Sequence, residues 1–437
     1  MKAIFRLVSV FAVSALLALV AGCGGGSSNS SARANVRLVN ATTGATLTLN
    51  LVSSANSGST ATFGPAAAGG ATEYNGVDAG AWSATVVTSD NSLTPFTTAS
   101  FGFAGDGTYT VLAYQRSGSV GAVNIADSTA APATGYANLR VFNTSIDAGV
   151  LDVYVLATTA TLGSGAAPTL GALGAGIVSA TTPLPAGSYK LVVTAAGNPS
   201  QVRLTIPSIT VADQDQMTLA LVSTSGGALV DAVSIKQSGS VTTYRNSQAR
   251  VRAVAALDSK QLVTASAGTS VLLGTGVVSP SIGTYTLVDS GSQPLSVTVN
   301  GVAKSSTLSL AAGGDYTVLL YGASASPAIT AVADNNQALP STGSLLNFRV
   351  VNGLIGLNGT LALTLNYTQV ATSVAAGSAS GYGQVTSAAA PLFQLTSSDA
   401  AFTGYSATGG SLVSQGVYTM FVLGTPAAPV ITIVKDR

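Results

Sequence analysis

Four arginines recur at one position of a repeated segment and are the first candidates for a functional site. The copies of this segment cover residues 34–40, 137–143, 249–255 and 346–352, and their arginines are Arg37, Arg140, Arg252 and Arg349. A row of charged hydrogen-bond donors along the array of repeats could bind and recognise a ligand. A structural role is the favoured interpretation. One charged side chain on the outer face of a first strand protects a sheet edge against pairing, or it meets the aspartate that closes the last strand.

A second recurring segment closes each copy and carries, at its shared position, Tyr109, Met217, Tyr316 and Tyr418. In three copies an aspartate follows the tyrosine by 18 residues, at Asp127, Asp334 and Asp436. The tyrosine either forms the corner hydrogen bond of immunoglobulin-type sandwiches or is simply half-buried in a strand. The second copy has Met217 and Gln237 at these positions and a slightly longer hairpin, so we expect its strand register to differ locally.

The residues needed for nucleophilic catalysis are missing from the sequence. The chain has no histidine and one cysteine, which excludes Ser-His-Asp and Cys-His mechanisms. Glycosidases usually need a pair of carboxylates, and Glu73 is the single glutamate among 16 acidic residues. We therefore predict no catalytic residues and a protein that is not an enzyme. An envelope hydrolase that uses an aspartate pair is the least favoured alternative.

Metal, cofactor and nucleic-acid sites are not indicated either. Asp213 and Asp215 could contribute to a Ca²⁺ loop, but the other ligands and the glycine of an EF-type loop are missing, so a solvated turn is favoured. We predict no metal site and no cofactor, although a calcium-binding loop stays an open question. The net charge is +1, and loss of Lys2 and Arg6 with a leader leaves 15 basic and 16 acidic residues. Because nothing is clustered for phosphate binding, no nucleic-acid partner is expected.

The N-terminus has the pattern of an export signal. Lys2 and Arg6 precede an apolar run over residues 7–20, which is too short for a membrane span. The run ends in the sequence Leu19, Val20, Ala21, Gly22 and Cys23. This sequence resembles a bacterial lipobox, in which small residues precede a cysteine that receives lipid. An ordinary secretory signal cut near Ala21 is the alternative.

The lipobox resemblance implies cleavage before Cys23 and attachment of several fatty acyl chains, such as palmitate, to that residue. Several chains anchor a protein stably where one would be marginal. Gly24 after the cysteine implies sorting to the outer membrane in Gram-negative bacteria, with the body either periplasmic or facing the surface. Residues 23–33 form a lipidated start and a leash rich in Gly and Ser, which is a flexible composition.

The elements that must position the recurring residues are short strands. Val36 and Leu38 alternate with Asn35 and Arg37, which is the period of a half-buried strand, and Gly, Ser or Pro turns separate such runs. The sequence therefore predicts an all-β protein of tandem antiparallel β-sandwich modules of immunoglobulin type after a cleaved lipoprotein signal peptide. The predicted units are a signal peptide (1–22), the leash (23–33) and four modules (34–129, 137–240, 248–336 and 345–437).

Several segments are similar to a bacterial cell-envelope family called domain of unknown function 4397. They include the arginine segments at 37–41 and 140–144 and the second-module runs at 151–155 and 184–193. The second module carries the resemblance best, and the fourth carries it only in its end strands. The resemblance implies exported β-sandwich repeats and offers no catalytic residues.

The leading functional hypothesis is a non-enzymatic envelope lipoprotein in which four modules act as a spacer or a binding array. It would contact the membrane through its lipid anchor, and its partner would be an envelope polymer or protein of unknown identity. The alternative is a carbohydrate- or polymer-binding surface protein that uses Trp82, Tyr189 and Tyr285. These three are predicted to occupy equivalent positions after a glycine turn, which favours core or half-core residues. Exposed rings at these positions would favour the alternative.

Overall fold

The computed structural model describes residues 32–55, 58–116, 118–127, 130–237, 239–258, 260–339 and 343–437. These residues form strands, turns and loops, and the predicted all-β fold class is confirmed. The predicted signal peptide and the part of the predicted leash before residue 32 lie outside the described residues. Within the described ranges, no helix is long and apolar enough to cross a membrane.

The first two modules contain strands β1 to β18. Module 1 has β1 (Arg33–Asn40), β2 (Leu47–Ser53), β3 (Thr60–Ala66), β4 (Asn75–Asp78), β5 (Gly80–Thr88), β6 (Phe96–Phe103), β7 (Thr108–Arg116) and β8 (Ser119–Ala126). Module 2 has β9 (Tyr136–Asn143), β10 (Leu151–Ala157), β11 (Leu170–Leu173), β12 (Ile177–Val178), β13 (Thr182–Pro185), β14 (Gly187–Ala195), β15 (Asn198–Val211), β16 (Gln216–Ser223), β17 (Val230–Lys236) and β18 (Val241–Tyr244). The last of these, β18, pairs with β17 in a segment expected to be a linker.

The last two modules contain strands β19 to β36. Module 3 has β19 (Gln248–Leu257), β20 (Val263–Ala267), β21 (Ser270–Leu273), β22 (Ser281–Ile282), β23 (Thr286–Asp289), β24 (Gly291–Val299), β25 (Val302–Leu310), β26 (Asp315–Gly322) and β27 (Ala328–Asp334). Module 4 has β28 (Leu345–Asn352), β29 (Thr360–Leu365), β30 (Thr368–Ala375), β31 (Ser378–Ala379), β32 (Gly383–Thr386), β33 (Leu392–Ser397), β34 (Tyr405–Thr408), β35 (Val417–Thr425) and β36 (Ala428–Lys435).

Each module is a sandwich of two sheets with one recurring topology. In module 1 the strand orders are β4-β1-β7-β8 and β3-β2-β5-β6, and the other modules repeat this plan with short additional strands. One pair in every module is parallel, namely the first strand against the penultimate long strand: β1–β7, β9–β16, β19–β26 and β28–β35. The other pairs are antiparallel. This parallel pair was not predicted, and it makes the first strand an interior strand of its sheet.

Alternating apolar residues from both sheets fill one core in each module. In module 1, Leu47, Leu49 and Leu51 of β2 face Val36 and Leu38 of β1, and all five are at most 1% exposed. Separate core clusters occupy the other three modules. Burial of such apolar faces contributes about 25 cal/mol per Å², so each sandwich has its own source of stability.

The outer faces of the first sheets are also buried, because modules pack against each other in pairs. Val39 and Leu112 of module 1 share an apolar cluster with Phe142 and Val222 of module 2. Modules 3 and 4 share a second cluster, formed by Val254, Ala256, Leu319, Val351, Phe421 and Leu423. The prediction of a half-buried first strand is therefore wrong. The neighbouring module covers the face that would otherwise meet solvent.

The register of module 2 is regular, which corrects the expected local difference. Met217 pairs with Lys236 in β16–β17, as Tyr109 pairs with Ala126 in β7–β8. The amide of Gln237 donates to Gln216 O, and the amide of Asp127 donates to Thr108 O in the same way. The two additional residues lie in the loop before β17, so Gln237 occupies the position of the missing aspartate.

Candidate functional site

The four repeated arginines lie on the parallel strand pairs, each beside a threonine of the penultimate strand. The register aligns Arg37 with Thr110, and the three other pairs follow the same rule. Each arginine Nε donates to the threonine Oγ1, over 2.9, 2.6, 2.9 and 3.1 Å for the pairs Arg37–Thr110, Arg140–Thr218, Arg252–Thr317 and Arg349–Thr419. This bond fixes the direction of the guanidinium group, which points out of its own module.

In modules 3 and 4, each arginine binds the aspartate of the other module across the interface. Arg252 of module 3 donates from Nη1 to Asp436 Oδ1 of module 4 over 2.5 Å. Arg349 of module 4 donates from Nη2 to Asp334 Oδ1 of module 3, also over 2.5 Å. Both arginines are at most 2% exposed. We name these four residues the exchange cluster, and it joins the modules through buried, charge-assisted hydrogen bonds.

Hydroxyl groups complete the exchange cluster. Asp334 Oδ2 accepts from Thr317 at 2.7 Å and from Tyr285 at 2.5 Å. The Arg252 guanidinium lies 4.6 Å from the centre of the Tyr285 ring, and Arg349 lies 4.7 Å from that of Tyr382. Burial first, and then the charge of Asp334, raises the pKa of Tyr285 well above its usual value. The phenol is therefore a neutral hydrogen-bond donor at physiological pH.

The corresponding contact between modules 1 and 2 lacks one carboxylate, because Gln237 replaces the aspartate. Arg37 instead donates to the carbonyl oxygens of Gly239 and Lys236, over 2.6 and 3.0 Å. Arg140 donates to Ala126 O over 2.8 Å. Asp127 accepts from Tyr74 at 2.9 Å and from Thr110 at 2.6 Å, and burial raises its pKa. Without an ion-pair partner inside 4 Å among the described residues, this carboxyl is less well compensated than Asp334.

The positions of the arginines decide among the three interpretations of the repeat. The interpretation that the arginines protect a sheet edge is wrong, because the strand that carries each arginine has a hydrogen-bonded neighbour on each side. The contact with a closing aspartate is found in modules 3 and 4, although the aspartate belongs to the neighbouring module. An exposed row for reading a ligand does not form, since Arg37, Arg252 and Arg349 are buried. Beside Arg140, where Thr181 lies, the cavity is about 20 Å³, which is room for about one water molecule.

The recurring tyrosines form the corner hydrogen bond. The hydroxyls of Tyr109, Tyr316 and Tyr418 accept from the amides of Ala104, Ala311 and Val413, over 2.8, 2.9 and 3.0 Å. A glycine two residues earlier lets the ring pack closely, because a Cβ at Gly107, Gly314 or Gly416 would lie 2.5–2.8 Å from a ring carbon. Module 2 has lost the glycine and the tyrosine together, and Asp215 there pairs with Lys236 over 2.6 Å instead.

The other sequence candidates have structural contacts. Asp213 accepts the Gly135 amide over 2.6 Å, so it caps a turn. Trp82 is 2% exposed, and the Tyr189 hydroxyl donates to Pro185 O over 2.7 Å. These two residues share the third position of β5 and β14, but Tyr285 precedes the short strand β23, so the predicted three-way equivalence is wrong. None of the three is an exposed ring platform.

Three sets of residues recur together with the arginines and were not recognised as sets from the sequence. The first is the threonine that follows the corner position, and the second is the interfacial tyrosine set Tyr74, Tyr285 and Tyr382. The third is the asparagine set Asn40, Asn143 and Asn352, which end their strands fully buried. Their side-chain amides donate to the carbonyl oxygens of Ala66 in β3, Leu173 in β11 and Val374 in β30. Their signal was present, because these threonines and asparagines keep a fixed spacing from the tyrosine or methionine and from the arginine.

The lipidation prediction and the metal prediction both stay predictions. Cys23 and the lipobox residues Leu19, Val20, Ala21 and Gly22 lie outside the described residues. Over the ranges that the structure describes, no group of three or more Cys, Asp or Glu side chains could hold a metal ion.

Comparison with known proteins confirms the family resemblance. Residues 34–154 match the family model with the description "Domain of unknown function (DUF4397)". The match covers module 1 and the first strands of module 2, whereas the resemblance had been expected to be best in module 2. No curated protein matches the chain.

Two solved structures illustrate how distant the structural likenesses are. A suspected cell adhesion protein from Bacteroides ovatus ATCC 8483 is 9% identical, with a TM-score of 0.20 over 47% of this chain and 98% of that chain. The Bacillus anthracis TIE protein is 8% identical, with a TM-score of 0.14 over 93% of this chain and 75% of that chain. Scores this low carry no argument about function.

Proposed function

We propose that this chain, whose residues 34–154 belong to the DUF4397 family, is a non-enzymatic lipoprotein of the bacterial cell envelope, built as a rigid array of paired sandwich modules. One observation supports the array most directly. The repeated charged side chains hold modules to each other instead of facing a substrate. Arg252, Arg349 and Asp334 are buried, the side chain of Asp436 is inaccessible to solvent, and all four have hydrogen-bond partners inside the chain.

Pairing changes what kind of spacer the chain makes. Four modules on flexible linkers would bend at three joints, whereas the apolar clusters and the exchange cluster fix module 1 on module 2 and module 3 on module 4. The two pairs are also connected, since Arg437 of module 4 donates to Asp147 O of module 2 over 2.8 Å. We expect a stiff and comparatively short body that displays its loops at fixed positions.

The absence of an enzyme activity is part of the proposal. It is supported by the lack of histidine in the sequence, because the usual general base of hydrolytic triads is then unavailable. It is also supported by the aspartates of the interfaces, which accept hydrogen bonds from threonine, tyrosine and arginine. An aspartate that is buried and fully engaged cannot approach a substrate.

The membrane anchor is tested by lipid analysis at Cys23. Mass spectrometry of the mature wild-type protein should show a lipid-modified N-terminal cysteine, and a Cys23→Ser variant should lose the modification and leave the membrane fraction. An unmodified, soluble wild-type protein would remove the lipoprotein from the proposal. Protease digestion of intact cells then separates surface display from a periplasmic location, and small-angle scattering tests whether the module array is rigid.

The carbohydrate-binding alternative loses the aromatic residues that suggested it, because Trp82 is buried and the hydroxyls of Tyr189 and Tyr285 are bonded within the chain. A polymer partner would have to bind through other residues.

A further inference from the structure

An open cleft lies where modules 2, 3 and 4 meet. Its volume is about 730 Å³, and its lining includes Arg203 of module 2, Arg250 and Tyr285 of module 3 and Asp436 of module 4. A second cavity of about 380 Å³ shares Arg203, Arg250 and Asp436 with it. Small-molecule sites typically measure about 300–1,000 Å³, so the cleft is large enough for a ligand of one or two sugar units.

Arg203 is a cation of this cleft that receives only the longer-range attraction of Asp315. Its Nε is buried without a hydrogen-bond partner, and its Nη2 reaches Gln201 Oε1 only at 3.4 Å. Among the described residues no carboxylate lies within 4 Å of it. Burial, and then the positive charge of Arg250, lowers its pKa to about 10. A guanidinium held in this way is costly unless an anion joins it.

Arg250 presents a second donor to the same space. Its Nε and Nη2 bind the two oxygens of Asp315, over 2.9 and 2.5 Å, and neither bond uses Nη1. The acidic residue that shares the lining, Asp436, is occupied by Arg252 at 2.5 and 3.2 Å and by Thr419 at 2.5 Å. The unused hydrogen-bonding capacity around Arg203 and Arg250 is therefore that of cations.

The rest of the lining suits a hydroxylated ligand. Ser200, Gln201, Thr284 and Thr286 supply hydroxyl and amide groups, and Val202 and Leu287 supply apolar surface. Arginine recognises carboxylate and phosphate groups through paired N–H donors, while hydroxyls and amides can bond sugar hydroxyls in either direction.

We propose that this cleft binds an acidic sugar, with a carboxylate or phosphate between Arg203 and Arg250 and the sugar hydroxyls on the Ser and Thr side chains. The inference goes beyond the proposed function, because a spacer needs no ligand. It does not depend on lipidation, so failure of the anchor and failure of this site would be separate results.

Calorimetry and thermal denaturation of the purified mature chain test the site with four probes: digalacturonate, glucose 6-phosphate, neutral galactobiose and inorganic phosphate. At low ionic strength, one or both acidic sugars should bind and raise the thermal midpoint, and galactobiose should not. The acidic sugar that binds more tightly identifies the anionic group. If inorganic phosphate bound as tightly as the tighter-binding acidic sugar, the sugar part of the proposal would be overturned.

Two variants separate recognition from folding. Arg203→Gln should weaken binding by at least about tenfold, because it removes the charged fork, and it should leave the midpoint without ligand unchanged or raised. Arg203→Lys keeps the charge but loses the paired donors, and it should bind with intermediate affinity. Arg33→Gln removes the same charge from an exposed position of module 1 and should bind like wild type. Failure of both acidic sugars to bind, or wild-type binding by Arg203→Gln, would refute the site.

Discussion

Arg252 in the first strand of module 3 donates to Asp436, which follows the last strand of module 4, over 2.5 Å. The reciprocal bond between Arg349 and Asp334 has the same length, so each module supplies the counter-ion of the other. A guanidinium group buried without its carboxylate is strongly destabilising. Neither module of this pair is therefore electrostatically complete alone.

Removing one carboxylate of the exchange cluster should loosen the interface. We expect Asp436→Asn to lower the free energy of unfolding of modules 3 and 4 by about 3 kcal/mol, the lower end for breaking a buried pair, because Asp334 still lies 3.9 Å from Arg252. Hydrogen exchange of β28 and β35 during denaturant titration would measure the loss.

Two comparisons make that measurement specific. Asp106→Asn removes an exposed carboxylate, and asparagine tolerates its positive φ of 59°, so this variant should unfold like wild type. The double variant Arg252→Met with Asp436→Leu replaces both charges and should recover most of the stability. Equal unfolding of Asp436→Asn and wild type would show that the exchange cluster does not stabilise the pair.

Removing the charge of Asp127, at the contact of modules 1 and 2, should not destabilise the protein. This is the opposite of the effect expected for Asp436. Burial raises its folded pKa, and Arg37, Arg140 and Tyr74 are the titratable groups that influence it or contact it. Between pH ~4, where the unfolded carboxyl titrates, and the folded pKa, the folded state therefore binds more protons than the unfolded state. Its contribution to stability is lost as pH rises through the folded pKa.

Asp127→Asn should remove this pH dependence. The amide oxygen can still accept from Tyr74 and Thr110, so the unfolding free energy at neutral pH should stay within about 1 kcal/mol of wild type or exceed it. Trp82, the single tryptophan of the chain, is buried in module 1, and its fluorescence reports this unfolding. A large loss of stability at neutral pH would mean that the carboxylate is ionised and well paired.

The corner tyrosine and its glycine should behave as one unit. Tyr418→Phe deletes the acceptor of the Val413 amide and should cost about 1 kcal/mol. Gly416→Ala should cost more, because its Cβ would lie 2.5 Å from the Tyr418 ring. In a Tyr418→Met background, which copies Met217 of module 2, the alanine should cost less than half as much. Equal costs in both backgrounds would show that the ring does not require the glycine.

The sequence predicted the sandwich class because alternation and turn residues are local signals. Leu47, Leu49 and Leu51 alternate cleanly, and they point into the core as expected. The first strand was less informative. Val39 lies on the same face of the strand as Arg37 and packs on the neighbouring module. The alternation of residue types does not predict that a second module covers that face.

The interfaces were predictable only in part, for the same reason. The constant spacing from Tyr316 to Asp334 pointed to a closing aspartate, and the four arginines pointed to a partner for it. Which module supplies that aspartate depends on packing between domains, and the sequence holds no local signal for it. The role of Thr317 depends likewise on the parallel pairing of β19 with β26, a contact over 65 residues.

Gly353 offers the sharpest test of the packing between modules 3 and 4. A Cβ there would lie 2.7 Å from Ala256 Cβ of module 3 and 2.8 Å from Leu423 Cδ2, so the two modules approach because this side chain is missing. Gly353→Ala should lower the unfolding free energy of the pair by about 1–3 kcal/mol, the usual cost of overpacking. Combining Ala256→Gly with Gly353→Ala should restore part of the loss, since the glycine removes the nearer contact.

Gly381→Ala, which has open space at its Cβ, is the matched control and should leave stability within about 0.5 kcal/mol of wild type. If Gly353→Ala unfolded like that control, modules 3 and 4 would not be in the close contact that the exchange cluster requires.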